Sequence, residues 1–187
     1  MKNLMKNQLR IIGGVHKRRQ LAFANIEGLR PTPDRLRETI FNWLMWDIEG
    51  ANVLDLCAGS GALSFEALSR GAKSVHLIEP NLEQLKFLKK NLALLNIENA
   101  KVYASTAQQA LAKINESFDV LFLDPPYSLN LWEELSQLVD EKLNENALIY
   151  VEADRPLDSL NLPKTWQKIK DSKVGIIYAG LYRKSEK

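Results

Sequence analysis

The chain has 187 residues, 45% of them hydrophobic and 26% charged, with a formal net charge of +2. That is enough for one domain with a sizeable core, and no apolar run approaches the roughly 18 residues of a membrane span. Cys57 is the only cysteine and the histidines are His16 and His76, so neither an intrachain disulfide nor a metal site is expected and a reducing cytoplasm fits.

Met1 to Lys6 is basic but leads into polar sequence, and no signal peptide is expected. The charge is unevenly spread. Residues 1–37 hold nine Lys and Arg against Glu27 and Asp34, a net +7, which leaves −5 on the other 150 residues. A basic arm on a mildly acidic body is an electrostatic footprint for a polyanion bound mainly through phosphates. Leu9 to Gly14 and Arg19 to Phe23 have strand character around a basic turn, Val15 to Arg18. That predicts a hairpin offering His16, Lys17, Arg18 and Arg19 to a folded RNA backbone. It is too short to have a core of its own.

Thr32-Pro33 is a helix start, with Thr32 as N-cap and Pro33 at the first helical position. Leu36, Ile40, Trp43 and Leu44 share one face, with Trp43 and Trp46 expected as core anchors. Arg35 lies beside that face and Arg37 points elsewhere. Arg30 and Pro31, in the extended segment before the helix, are positioned to close over a ligand mouth. The expected organisation is a basic extension over residues 1–48 and a catalytic body over 49–187.

Asn52 to Gly61 reads as a buried strand, a glycine turn and then a helix from Ala62 to Ser69. Glycines permit the tight turn, and a helix N-terminus offers free N–H groups. The spacing lacks the third glycine of the dinucleotide fingerprint and the Gly-Lys-Ser/Thr of a P-loop. Asp55, at the strand end, would repel a pyrophosphate but suits an ammonium group. Glu79, ending the strand from Ser74, suits the two hydroxyls of a ribose. S-adenosylmethionine carries an ammonium, a sulfonium and a ribose, and needs no pyrophosphate site. Cys57, inside the turn, reads as a small packing residue, and His76 as a core or interface histidine.

Further on, Asn81 to Leu94 is an amphipathic helix with Leu82, Leu85, Leu88, Leu92 and Leu95 inward. A strand over Lys101 to Ala104 and a helix over Thr106 to Ile114 follow. Phe118 to Leu123 is a strand buried on both faces, stopped at once by Asp124-Pro125-Pro126-Tyr127. The tetrapeptide thus falls at the carboxyl end of a strand, where open α/β sheets bind ligands. Its residues suit methylation of an exocyclic amine, whose lone pair is delocalised into the base. Asp124 and the Pro125 carbonyl accept hydrogen bonds from the NH2 and aim its lone pair, Pro125 and Pro126 stiffen the wall, and Tyr127 offers a face for a flipped-out base. A helix over Leu131 to Leu143, a strand over Ala147 to Glu152, a loop or short helix over Pro156 to Pro163, and a hairpin over Trp166 to Tyr182 complete the chain. Strands alternating with helices give a mostly parallel sheet with helices on both faces.

Asp55 to Gly61, Glu79 and Asp124 to Tyr127, in that order, resemble the class I S-adenosylmethionine-dependent methyltransferases that modify exocyclic amines. Leu29 to Leu44, with Arg10-Ile11-Ile12-Gly13-Gly14 before it, narrows this: the whole chain resembles the RsmD family of 16S rRNA guanine-N2 methyltransferases. The resemblance implies a Rossmann-like seven-stranded sheet of order 3-2-1-4-5-7-6 with the last strand antiparallel, plus the N-terminal hairpin and helix. It implies S-adenosylmethionine held by Asp55, Cys57, Ala58, Gly59, Gly61, Glu79, Ser105, Thr106 and Asp124. Ser105-Thr106 departs from the acidic or amide residue that relatives often place against the adenine. Asp124, Pro125, Pro126 and Tyr127 would be catalytic. Arg10, His16, Lys17, Arg18, Arg19, Arg30, Arg35 and Arg37 would meet 16S rRNA or a small-subunit assembly intermediate, the protein acting as a cytoplasmic monomer without metal. Two other readings stay open on the residues alone: a DNA or RNA adenine-N6 methyltransferase, and a non-catalytic RNA-binding assembly factor with a vestigial body.

Overall fold

The computed structural model describes residues 7–186, so the expectations for Lys2 and Lys6 lie outside the described residues. A short antiparallel pair, β1 (Gln8–Arg10) and β2 (Gln20–Ala22), precedes α1 (Asp34–Trp43). The body runs β3 (Asn52–Asp55), α2 (Ala62–Ser69), β4 (Ser74–Ile78), α3 (Leu82–Leu94), β5 (Ala100–Tyr103), α4 (Ala107–Leu111), β6 (Phe118–Leu123), α5 (Trp132–Val139), β7 (Leu143–Ala153), β8 (Trp166–Val174) and β9 (Ile177–Lys184). Its sheet has the order β5-β4-β3-β6-β7-β9-β8, with β9 antiparallel to both neighbours. Counted from β3, this is the expected 3-2-1-4-5-7-6.

Alternation along the central strands explains the layering. Val53, Val120 and Phe122 point into a cluster with Leu36, Phe41, Phe65 and Leu88 from α1, α2 and α3. Leu54, Leu121 and Leu123 point the other way, against Ala110, Leu111, Trp132 and Leu135 from α4 and α5. Each strand is therefore apolar on both faces, as a doubly covered parallel sheet requires.

The extension has no core of its own. Leu9, Ile11, Leu21 and Phe23 join the first cluster. Its loop is bolted to α2 by polar contacts: the buried Glu66 carboxylate accepts from the Ile12 and Gly13 N–H groups and pairs with Arg70 at 2.9 Å and Arg37 at 3.6 Å. Ser69 donates its hydroxyl to the Gly13 carbonyl and accepts from the His16 N–H at 2.9 Å, while its carbonyl accepts from Val15 N–H. Gly14 adopts φ +76° with Ser69 so close that a Cβ would lie 1.9 Å from its carbonyl oxygen. Only glycine fits there.

Several local expectations change. Helix α1 begins at Asp34, with Pro33 rather than Thr32 at the N-cap and no side-chain cap; Thr32 is buried and turned toward the sheet. Trp46 lies past the end of α1 and is 86% exposed, so it anchors nothing, whereas Trp43 packs on the core. Leu82 is exposed at the first position of α3, and Asn81 caps that helix by accepting from Gln84 N–H at 3.0 Å. Helix α4 is shorter than its pattern, with Thr106 and Gln109 forming a capping box. Arg37 is 1% exposed, held by the Thr32 and Arg10 carbonyls, Asp34 and Glu66. It is a structural cation closed off from the surface, which leaves it unsuited to the phosphate contact expected of it: a side chain one position off the apolar face is still inside, because the extension covers it.

Candidate active site

Strand β3 lies between β4 and β6, where the sheet order reverses, and loops diverging at such a point leave a crevice at the carboxyl ends. Four acids stand at the carboxyl ends of these strands: Asp55 ends β3, Glu79 follows β4, Asp124 follows β6 and Glu152 lies near the end of β7. Sequence reasoning found three of them. Glu152 was missed although its signal is the same, an acid closing the apolar run Leu148 to Val151.

Asp55 is almost fully buried. Its Oδ2 accepts from the Ser64 hydroxyl at 2.7 Å, and its Oδ1 has no partner. Burial pushes its pKa up to about 7, opposed by Ser64 and the Cys57 N–H and aided by the charge of Glu79. A buried acceptor left orphaned costs free energy unless a donor arrives, and an ammonium group fits that demand. The glycine turn is closed by Gly61 N–H on the Ala58 carbonyl at 2.8 Å; Gly61, at φ +83°, caps α2. Glu79 accepts from Gly59 N–H and Asn81 N–H, each at 3.0 Å, fixing its carboxylate beside the turn with further lone pairs for hydroxyl donors. Burial raises its pKa too, against those two N–H groups. Leu29, from the segment before α1, reaches to Gly59, so that segment lies along the turn, with Arg30 exposed. Ala58 is buried and Cys57 half-buried, its thiol pushed up by burial and by surrounding carboxylates, which makes it a packing residue and a poor nucleophile. Ser105 directs its hydroxyl to the Thr106 carbonyl and Thr106 spends its oxygen on the cap of α4.

On the other side of the crevice, Asp124 is partly exposed as a residue while its carboxyl is enclosed. Burial first, and then the adjacent Glu152, raise its pKa well above the usual carboxylate range. Pro125 is buried, and the Leu129 N–H closes a single helical turn on the Pro126 carbonyl at 3.1 Å. Tyr127 is half-buried. Its ring stacks on Trp132 with centroids 6.1 Å apart, Arg155 lies 4.7 Å over the Trp132 ring, and its hydroxyl donates to Glu152 at 2.9 Å. Trp132, Tyr150 and Glu152 thus join a site whose tetrapeptide alone was visible in the sequence. His76 is away from it, paired with the Tyr103 hydroxyl at 2.9 Å and packed on Phe118.

The remaining basic residues stay on the surface. Lys17, Arg18, Arg19, Arg30 and Arg35 are exposed, His16 is half-buried, and Arg10 is exposed beside Asp34 at 3.3 Å. Arg10, Lys17 and Arg18 line a cavity of about 310 Å³ with Ile11, Ile12 and Glu38.

The sequence matches the family described as Conserved hypothetical protein 95 over residues 9–183. The chain belongs to that family. It is 44% identical to Ribosomal RNA small subunit methyltransferase D of Haemophilus influenzae, over 95% of each chain. To the protein of the same name in Escherichia coli K12 it is 41% identical, over 95% of this chain and 90% of the relative. Among solved structures it is similar to a putative methyltransferase, yhhF, from Escherichia coli, with 41% identity, TM-score 0.87, and coverage of 97% of this chain and 100% of that one. The family expected from the motifs is the family found, and the fold is that of a methyltransferase. Among the described residues no helix is long and apolar enough to cross a membrane.

Proposed function

We propose that the chain transfers the methyl group of S-adenosylmethionine to the exocyclic N2 of a guanine in 16S rRNA during small-subunit maturation, as a cytoplasmic monomer. One observation carries the reading: the orphaned Asp55 Oδ1 and the Asp124 carboxyl stand at the carboxyl ends of the paired strands β3 and β6, at the switch point. The relatives' names supply rRNA of the small subunit; guanine N2 comes from the RsmD resemblance.

The donor set fits the cofactor. Asp55 would hold its ammonium and Glu79 its ribose hydroxyls, with Gly59, Gly61, Ala58 and Cys57 shaping the turn and Ser105 and Thr106 flanking the adenine side. When bound, the cofactor supplies an already activated methyl group, so no covalent enzyme intermediate is needed. The protein's part is orientation and electrostatics. Asp124 and the Pro125 carbonyl accept from the N2 amine, turning its lone pair toward the electrophile and stabilising the charge that develops on nitrogen. Tyr127 braces the flipped base. The exposed cations of the arm engage phosphates.

The test is mass spectrometry of 16S rRNA nucleosides from cells lacking the protein, complemented with wild type or Asp124→Ala. N2-methylguanosine should fall by one residue per 16S molecule in the deletion, return with wild type and stay absent with Asp124→Ala, whose turnover should drop by about two to three orders of magnitude. Loss of N6-methyladenosine instead, or no change, would overturn the reading.

A further inference from the structure

Glu152 is 5% exposed and lies one residue beyond Val151, the partner of Leu123 in the β6–β7 ladder, so it stands beside Asp124 on the neighbouring strand. A buried carboxylate needs donors, and three hydroxyls supply them from three parts of the chain. Tyr150 on its own strand donates at 2.8 Å and Thr32 of the extension at 3.4 Å, both to Oε1; Tyr127 donates at 2.9 Å to Oε2. Its backbone carbonyl accepts from the Trp132 indole at 2.9 Å, so the strand end is held as well. Hydroxyl donors favour the ionised form of the group they bond. Two carboxyls side by side in an enclosed site do not both ionise readily. The three hydroxyl donors are spent on Glu152, so the proton shared by the pair rests on Asp124, whose pKa is raised. The neighbours agree. Asp124 also faces Asp55 from β3, and Cys57, Tyr127 and Tyr150 surround the pair, while Asp154 is neutralised by its ion pair with Arg155 at 2.8 Å.

We propose that Asp124 and Glu152 form a one-proton carboxyl dyad, in which Glu152 is the positioning residue that holds Asp124 and takes up the proton displaced from it during methyl transfer. The proposal rests on the amine-methylation reading above. The Asp124 oxygen facing the substrate is the carbonyl-like one and accepts from the amine. As the nitrogen lone pair forms the N–C bond, the C–S bond breaks and its electron pair returns to sulfur. The alkylated nitrogen then gives one N–H proton to that Asp124 oxygen, while the proton on the other Asp124 oxygen crosses to Glu152. One proton leaves nitrogen, one arrives at Glu152, and Asp124 stays neutral with its proton now on the substrate-facing oxygen, from which it is reset once Glu152 has released its own. Glu152 later yields its proton to water, and Tyr127, half-exposed and bonded to Oε2, marks the side on which it leaves. Thr32 gives the residues before α1 a part in this arrangement: they reach past the cofactor turn to the acid behind the catalytic one.

The experiment is a pH titration of the whole chain labelled with ¹³C at aspartate carboxyls, the Asp124 resonance being assigned with Asp124→Asn. Single-turnover methyl transfer to 16S rRNA is followed over the same pH range. In Glu152→Gln the negative neighbour is gone, so Asp124 should titrate lower by on the order of one pH unit or more. The alkaline limb of the rate profile, where the pair loses its one proton, should move the same way. At pH 8 the rate should fall about 10- to 100-fold, with KM for S-adenosylmethionine unchanged, and Glu152→Asp should restore the higher titration. If Glu152→Gln does not fold, Tyr150→Phe is read instead: it removes a donor from Glu152, draws the shared proton toward it, and should move the Asp124 resonance toward its ionised position at neutral pH. The resonance is measured on protein alone, so a chain that methylated a different base would leave it intact while failing the nucleoside test. An Asp124 titration identical in wild type and variant would overturn the dyad.

Discussion

Replacing Asp55 by asparagine should separate what this residue costs the fold from what it contributes to binding. Its carboxyl is buried, one oxygen has no partner, and its pKa is pushed from 3.8 up to about 7, by burial first. A folded-state pKa above the unfolded one means that folding favours the protonated form. The stabilisation is fully present below about pH 4 and is lost as the pH rises to about 7. At 1.36 kcal/mol per pKa unit, roughly three units amount to on the order of 4 kcal/mol over the full window. Between pH 5 and pH 8 the cofactor-free wild type should therefore lose about 2–3 kcal/mol relative to Asp55→Asn. Glu79 is raised as well, but it is common to both proteins and largely cancels in the difference. Urea unfolding at four pH values measures that difference, and calorimetry measures the other side. An ammonium on Oδ1 offsets the burial, so Asp55→Asn should bind S-adenosylmethionine more weakly by about 1–3 kcal/mol. Stability curves that run parallel from pH 5 to pH 8, with equal cofactor affinity, would refute the placement of a charged head group at Asp55.

Three further outcomes are expected. Tyr127→Phe keeps the ring on Trp132 but removes a donor to Glu152, and single-turnover rates should fall about tenfold, the equivalent of about 1.4 kcal/mol for one hydrogen bond; Tyr127→Ala should lose more, and a wild-type rate for Tyr127→Phe would show the hydroxyl to be idle. Changing Lys17, Arg18 and Arg19 together to alanine should lower the magnitude of the log–log salt slope of RNA binding by roughly 0.7–0.9 for each phosphate that is no longer neutralised, with cofactor affinity unchanged. Arg37→Ala should leave that slope alone and instead destabilise the protein by about 3–5 kcal/mol in chemical denaturation, because it strips a partner from the buried Glu66; a stable variant with a reduced slope would return Arg37 to the RNA surface.

The parallel body was legible because its strands are short continuous apolar runs ended by glycine, proline or an acid, and because its helices carry a leucine period. Asp55, Glu79 and Asp124 stood out for the same reason, as charged groups where burial begins. What stayed hidden depends on pairing across the chain. Glu152 carries the same mark, but its role comes from hydroxyls 2, 25 and 120 residues away. Thr32 has every local feature of a helix cap, yet tertiary packing turns it to Glu152 and leaves α1 uncapped. Arg37 reads as a surface cation because periodicity on one helix says nothing of what lies over its other side. Trp46 shows the reverse: its size suggests a core, but the helix ends before it.

The attachment of the basic loop to α2 bears on how such proteins diversify. The loop's conformation is written partly in Glu66 and Ser69, and in the absence of a side chain at Gly14. A loop transplanted from a relative would arrive without its socket unless those α2 positions travelled with it. Because the same helix opens on the glycine turn that follows Asp55, they are not free to drift independently. The charge this loop presents is therefore easier to change by exchanging the exposed side chains at Lys17, Arg18 and Arg19 than by replacing the backbone that displays them.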